Sequence, residues 1–146
     1  MKKLLIYISC LLFLFACKKE ESVNEIPEIT FKSISETTVL NFQNSLQITL
    51  DYIDENGDIG YQDPDAYSLR VKDSRLEEFD WYHIPPLTPE MEELNISGSF
   101  TVELNSLFLL GNASQETTTF TLQLKDRSGN WSNQITSPAV MIVDSL

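Results

Sequence analysis

Ser45-Leu46-Gln47-Ile48-Thr49-Leu50-Asp51-Tyr52 alternates polar and apolar residues without a slip. That period of two places Leu46, Ile48, Leu50 and Tyr52 on one face and is the signature of a half-buried β-strand. Asp54 to Gly60 follows as a polar turn, and the alternation resumes from Ala66 to Asp73 with Tyr67, Leu69 and Val71 on one face. Ile29–Ile34 reads as an earlier strand and the aromatic Phe79–Ile84 as a short one, stopped by Pro85-Pro86 because proline cannot donate to a ladder. Pro89 is placed for a helical turn over Thr88–Leu94. Ser99–Leu104, Thr117–Lys125 and Ile135–Val143 complete the set, with Phe100, Val102, Leu104, Phe120, Leu122 and Leu124 inward. Helical periodicity is nearly absent. About seven short strands with turns between them predict an all-β chain folded as an antiparallel β-sandwich.

The opening of the chain has a different character. Lys2 and Lys3 precede an apolar run from Leu4 to Phe15, interrupted by Ser9. A basic start, a dozen or so apolar residues and a small residue before a cut form the secretory signal pattern, and the run is shorter than the ~20 residues of a membrane span. Leu14-Phe15-Ala16-Cys17 resembles the bacterial lipobox, which implies lipidation of Cys17 and cleavage before it. Charge begins at once with Lys18, Lys19, Glu20 and Glu21, a composition suited to a flexible tether. The expected organisation is a lipoprotein signal peptide at 1–16, a lipidated cysteine and charged tether at 17–26, and one domain at 27–146.

Without the leader the chain carries 8 basic and 22 acidic residues, a formal charge of −14. Such a surface disfavours nucleic acid and anionic headgroups. The two cysteines are Cys10, inside the leader, and Cys17, so the domain has neither a disulfide nor a thiolate site. His83 is the single histidine, too few for a histidine-based zinc centre, and no G-x-S-x-G elbow supports a hydrolytic triad.

Three segments carry a resemblance. Asp54-Glu55-Asn56-Gly57-Asp58-Ile59-Gly60, Pro85-Pro86-Leu87-Thr88-Pro89 and Asp126-Arg127-Ser128-Gly129-Asn130-Trp131-Ser132-Asn133 are similar, in this order, to stretches of small Bacteroidota lipoproteins of unknown function. The resemblance implies an immunoglobulin-like sandwich on a lipid anchor and no activity. Separately, the charged stretch just after Cys17 resembles the export signal of surface-exposed Bacteroidota lipoproteins, which implies the outer membrane and the cell surface. The run Met91-Glu92-Glu93-Leu94 departs from it, where more glycine and lysine are expected.

In an immunoglobulin-like order the acidic turn is the B–C loop and Asp126–Asn133 the F–G loop, which share one pole. Asp54, Asn56 and Asp58 place oxygen side chains at alternate positions around Gly57, and calcium takes six to eight hard oxygen ligands. The expectation is one or two calcium ions bridging these loops, with Asp126 and Asn130 approaching from the second. The same residues are also ordinary turn formers, so spacing alone leaves both readings open. Trp81, Tyr82 and Trp131 are the aromatic candidates for ligand stacking.

The leading functional expectation is a non-enzymatic binding or structural module of the cell envelope, with an envelope protein or a glycan as partner. The alternative is a carbohydrate-binding accessory lipoprotein of a polysaccharide-uptake system. A glycoside hydrolase ranks third, since it needs two carboxylates about 5–9.5 Å apart across a cleft.

Overall fold

The computed structural model describes residues 24–43, 45–88 and 94–145. The leader, Cys17 and most of the tether lie outside these residues, as does most of the helical turn expected over Thr88–Leu94.

Ten strands form: β1 (Glu28–Ile34), β2 (Thr38–Leu40), β3 (Leu46–Asp54), β4 (Leu69–Asp73), β5 (Asp80–Tyr82), β6 (Ile96–Leu104), β7 (Gln115–Thr118), β8 (Phe120–Leu124), β9 (Ile135–Thr136) and β10 (Val140–Val143). One sheet has the order β1-β3-β6; facing it are β2-β10-β7 and β5-β4-β8-β9. Because β7 runs into β8 and β9 into β10, the latter two sets form a second layer, and the whole is a two-layer β-sandwich. Among the described residues no α-helix occurs.

Side-chain alternation explains the layers. Leu46, Ile48 and Leu50 of β3 are wholly buried, as are Ile29 of β1, Leu69 of β4, and Leu122 and Leu124 of β8. These residues form one continuous core with Val39, Val102, Leu104, Phe120, Val140 and Ile142. Each such side chain contributes about 1.5–3 kcal/mol on burial.

Four details differ from the sequence expectation. Thr117–Lys125 is interrupted at Thr119, where the chain leaves β10 as partner and takes up β4 and β9. Ile135–Val143 divides around Pro138, which lacks a donor for the ladder; Ser137 bridges the gap, its N–H donating to the Phe120 carbonyl (2.9 Å) and its hydroxyl accepting from the Phe120 N–H (2.9 Å). Residues 38–40 form a short strand that pairs with β10 in parallel, so the sandwich is not wholly antiparallel. Tyr67 precedes β4 and is half exposed rather than inward.

Candidate functional site

The core strand β3 delivers Asp54 to the rim of the sandwich, where it is only 1% exposed. Its Oδ2 accepts the N–H of Asp58 (2.9 Å), closing the turn. Ile59, completely buried, pins the far side, and the Thr88 hydroxyl donates to the carbonyl of Gly57. The Asp126–Asn130 turn docks directly on this loop. Ile59 bridges Asp126, the Arg127 N–H donates to the Asp58 carbonyl (3.0 Å), and Ser128 donates from N–H (2.9 Å) and hydroxyl (2.7 Å) to Asp58 Oδ2. The Tyr61 hydroxyl donates to the Asp126 carbonyl (3.0 Å). The shared pole inferred from strand order is therefore realised by direct hydrogen bonds.

Within this pole the roles divide. Both carboxylate oxygens of Asp126 accept from Asn130, from its N–H (2.6 Å) and its amide (2.9 Å). By contrast Asp54 Oδ1, Asn56 Oδ1 and Asp58 Oδ1 are all buried and receive no donor from the protein. A buried acceptor left in that condition costs about 1–3 kcal/mol. Burial pushes the Asp54 carboxyl up to about 6, the Asp58 and Asp126 charges adding to it while the Asp58 N–H opposes it. Burial also raises Asp126, against its bonds from Asn130. Among the described residues no three Asp, Glu, His or Cys side chains gather as a metal cage; the free oxygens here belong to two carboxylates and one amide. The neighbouring acids do other work. Asp51 pairs with Lys32 (2.9 Å) on the solvent face of β3, and Asp63 accepts the N–H of Asp65 in an exposed turn.

A groove of about 440 Å³ opens toward the other end of the sandwich. Val71, Leu104, Leu107 and Phe120 are its buried apolar lining, and Trp81, Tyr82, Leu76 and Phe108 also line it. Asp73, Arg75, Asp80, Asn105 and Ser106 supply its polar groups. Trp81 is 48% exposed and leans on Trp131, with ring centroids 6.0 Å apart at 57°. The pair is thus accessible but not the coplanar platform expected of stacked sugar sites. Arg70 packs over Trp131 (4.1 Å) and Phe79 (4.6 Å), while Tyr82 is half-buried against the core. So the groove takes in Trp81 and Tyr82, and Trp131 buttresses Trp81 from outside. His83 bonds through Nδ1 to the Ala66 carbonyl (3.0 Å).

Sequence reasoning missed Arg75. Its guanidinium meets Asp73 Oδ2 (2.7 Å), Glu116 Oε2 (2.7 Å) and the Phe108 carbonyl (2.8 Å), tying β4, β7 and the loop after β6 together. It also missed the stack of Phe42 on Phe108, with centroids 5.5 Å apart and rings within 6° of parallel. An Asp-Ser-Arg triplet and two isolated phenylalanines carry no local signal of either.

No family model and no curated protein matches the chain. Among solved structures it is similar to the SrpA adhesin (R347E mutant) from Streptococcus sanguinis, at 16% identity and a TM-score of 0.34. The match covers 81% of this chain and 56% of that one, so this chain spans little more than half the adhesin's length. The description of the sandwich given above rests on its own strand pairing.

Proposed function

We propose that this protein is a lipid-anchored binding module of the cell envelope, which holds a ligand without transforming it. The observation that carries the reading is the groove: an apolar lining, an accessible tryptophan at its edge and several separate polar groups, the usual make-up of a recognition site. Burial works to raise Asp73, but its bonds from Arg75 and Thr118 outweigh burial and keep the carboxyl below its ordinary range. A carboxyl so held is ionised at neutral pH and is a poor proton donor, which weighs against glycosidase chemistry in this groove.

Within that reading, Trp81 would stack on a sugar ring alone, without a coplanar partner, and its exposed face beside Asp80, Asn105 and Ser106 favours a glycan over a flat protein surface. A panel of envelope and dietary polysaccharides, titrated against intrinsic tryptophan fluorescence, tests it. A saturable response is expected, weakened at least about tenfold by Trp81→Ala, the ~1.4 kcal/mol or more that losing one stacked aromatic removes. If no glycan responds while crosslinking through position 81 captures an envelope protein, the partner is a protein and the glycan reading fails.

Anchoring is tested separately. Cys17→Ser is expected to abolish incorporation of radiolabelled palmitate and to move the protein from the membrane to the soluble fraction, since acyl chains hold by about 0.8 kcal/mol per buried CH₂. Unchanged labelling would overturn the lipobox reading.

A further inference from the structure

We propose that Asp54, Asn56 and Asp58 form the protein's share of a calcium site at the pole opposite the groove's open end, a reading independent of what the groove binds. Four buried side-chain atoms among the described residues lack a donor, and three of them are the Oδ1 atoms of these alternate residues. The fourth is the hydroxyl of Ser68, a neutral group. A turn made only for its backbone geometry would spend such oxygens on its own N–H groups, as Asp54 Oδ2 and Asp126 Oδ1 do. Oδ1 of Asp54 remains free although the residue is almost fully buried.

No cation among the described residues answers these charges. Among the described residues no Lys or Arg nitrogen comes within 4.0 Å of the Asp54, Asp58 or Asp126 carboxylates. Arg127, the nearest in sequence to Asp126, donates from Nη1 to the Gly60 carbonyl (3.1 Å). The donor set is oxygen alone, which selects a hard cation over zinc or copper. Two carboxylates and an amide on one loop suit the larger, geometrically tolerant Ca²⁺, with water completing the shell, better than the strict octahedron of Mg²⁺. Asp126 adds negative potential while its oxygens serve Asn130.

The test uses the full chain in detergent, with calcium chloride, magnesium chloride or chelator. Calcium is expected to raise the melting temperature by about 5 °C at saturating concentration, magnesium by much less. Tb³⁺ should give emission sensitised by Tyr61 or Trp131, competed away by Ca²⁺. Asp58→Asn should remove both responses and Asp63→Asn neither. Asn56→Asp, which adds a charged ligand, should move the calcium midpoint about tenfold lower, an effect that a purely structural role for the loop would not produce. No calcium-dependent shift in the native chain, or an Asp58→Asn variant that responds in full, overturns the proposal. If Asp58→Asn fails to fold, an Asn56→Asp midpoint that does not move overturns it equally.

Discussion

Replacing Arg75 with alanine is expected to cost the fold about 3–5 kcal/mol, the usual penalty for breaking a buried pair by removing one partner. The Arg75 side chain is 12% exposed and that of Asp73 8%. Asp73 Oδ1 also accepts from the Arg75 N–H (2.9 Å) and from the Thr118 hydroxyl, so it cannot turn outward to water without abandoning β7. Loss of the guanidinium leaves that carboxylate buried without its cation and releases the Phe108 carbonyl as well. Urea unfolding followed by fluorescence measures the loss. Arg75→Lys should recover only part of it, because an ammonium cannot reach Asp73, Glu116 and Phe108 as a fork does. Acidification offers a second measure. Asp73 and Glu116 both have folded pKa values below their ordinary 3.8 and 4.5, Glu116 through the N–H groups of Leu110 and Gly111 and then Arg75. Stability from these groups is complete above those ordinary values and is lost as pH falls through the depressed folded ones. The native chain should weaken below about pH 4, and Arg75→Ala should show a shallower slope there. A variant as stable as the native chain would show that the triad is ornamental.

Gly60→Ala is expected to be comparably severe, about 3–5 kcal/mol, for a different reason. Gly60 has φ +88°, and a Cβ there would collide with the backbone carbonyls of Ile84 and Pro85. Those atoms cannot step aside as a side chain tip could. The Tyr61 N–H donates to the Ile84 carbonyl (2.9 Å) and the Leu87 N–H to the Ile59 carbonyl (3.2 Å), so the acidic loop and the segment after β5 are laced together at this point. Gly129 provides the contrast. It also has positive φ (+94°), yet the nearest atom to an added Cβ is the Lys125 Cε at 4.0 Å. Gly129→Ala should therefore lose only the conformational part, about 1 kcal/mol. Equal losses at the two glycines would refute the steric account. Thermal denaturation of both variants decides it.

The alternation in Leu46-Gln47-Ile48-Thr49-Leu50 and in Phe120-Thr121-Leu122-Gln123-Leu124 was enough to find the two central strands, because burial of one face is written locally. What local pattern does not contain is the identity of the partner. The switch at Thr119 from one set of neighbours to another depends on residues 22 to 55 positions away, and the parallel pairing of Thr38–Leu40 on residues 103 positions away. Thr38–Leu40 is in any case too short to show a period. The acidic pole was legible as a set of residue types, and its meeting with the second loop followed from strand order. Which oxygens would be spent on the protein's own N–H groups was not legible: Asn130 engages both oxygens of Asp126, whereas Asp54 keeps one free, and only the folded backbone decides that. Arg75 was invisible because its partners Asp73, Glu116 and Phe108 lie 2, 41 and 33 residues away.

The first described residues are fastened to the acidic pole. The Asn24 N–H donates to Glu55 Oε2 (2.5 Å), and the Glu25 carbonyl accepts from the Asn130 amide (3.3 Å). Whatever holds the chain upstream therefore pulls first on the acidic loop and on the turn docked against it. The opposite tip lies one β3 length away, about 30 Å at the rise of an extended strand. There the stacked rings of Phe42, 68% exposed, and Phe108, which lines the groove, lie open to solvent. In the lipid-anchored reading proposed above, the acidic pole is therefore the end nearer the membrane and the aromatic tip the end farther from it.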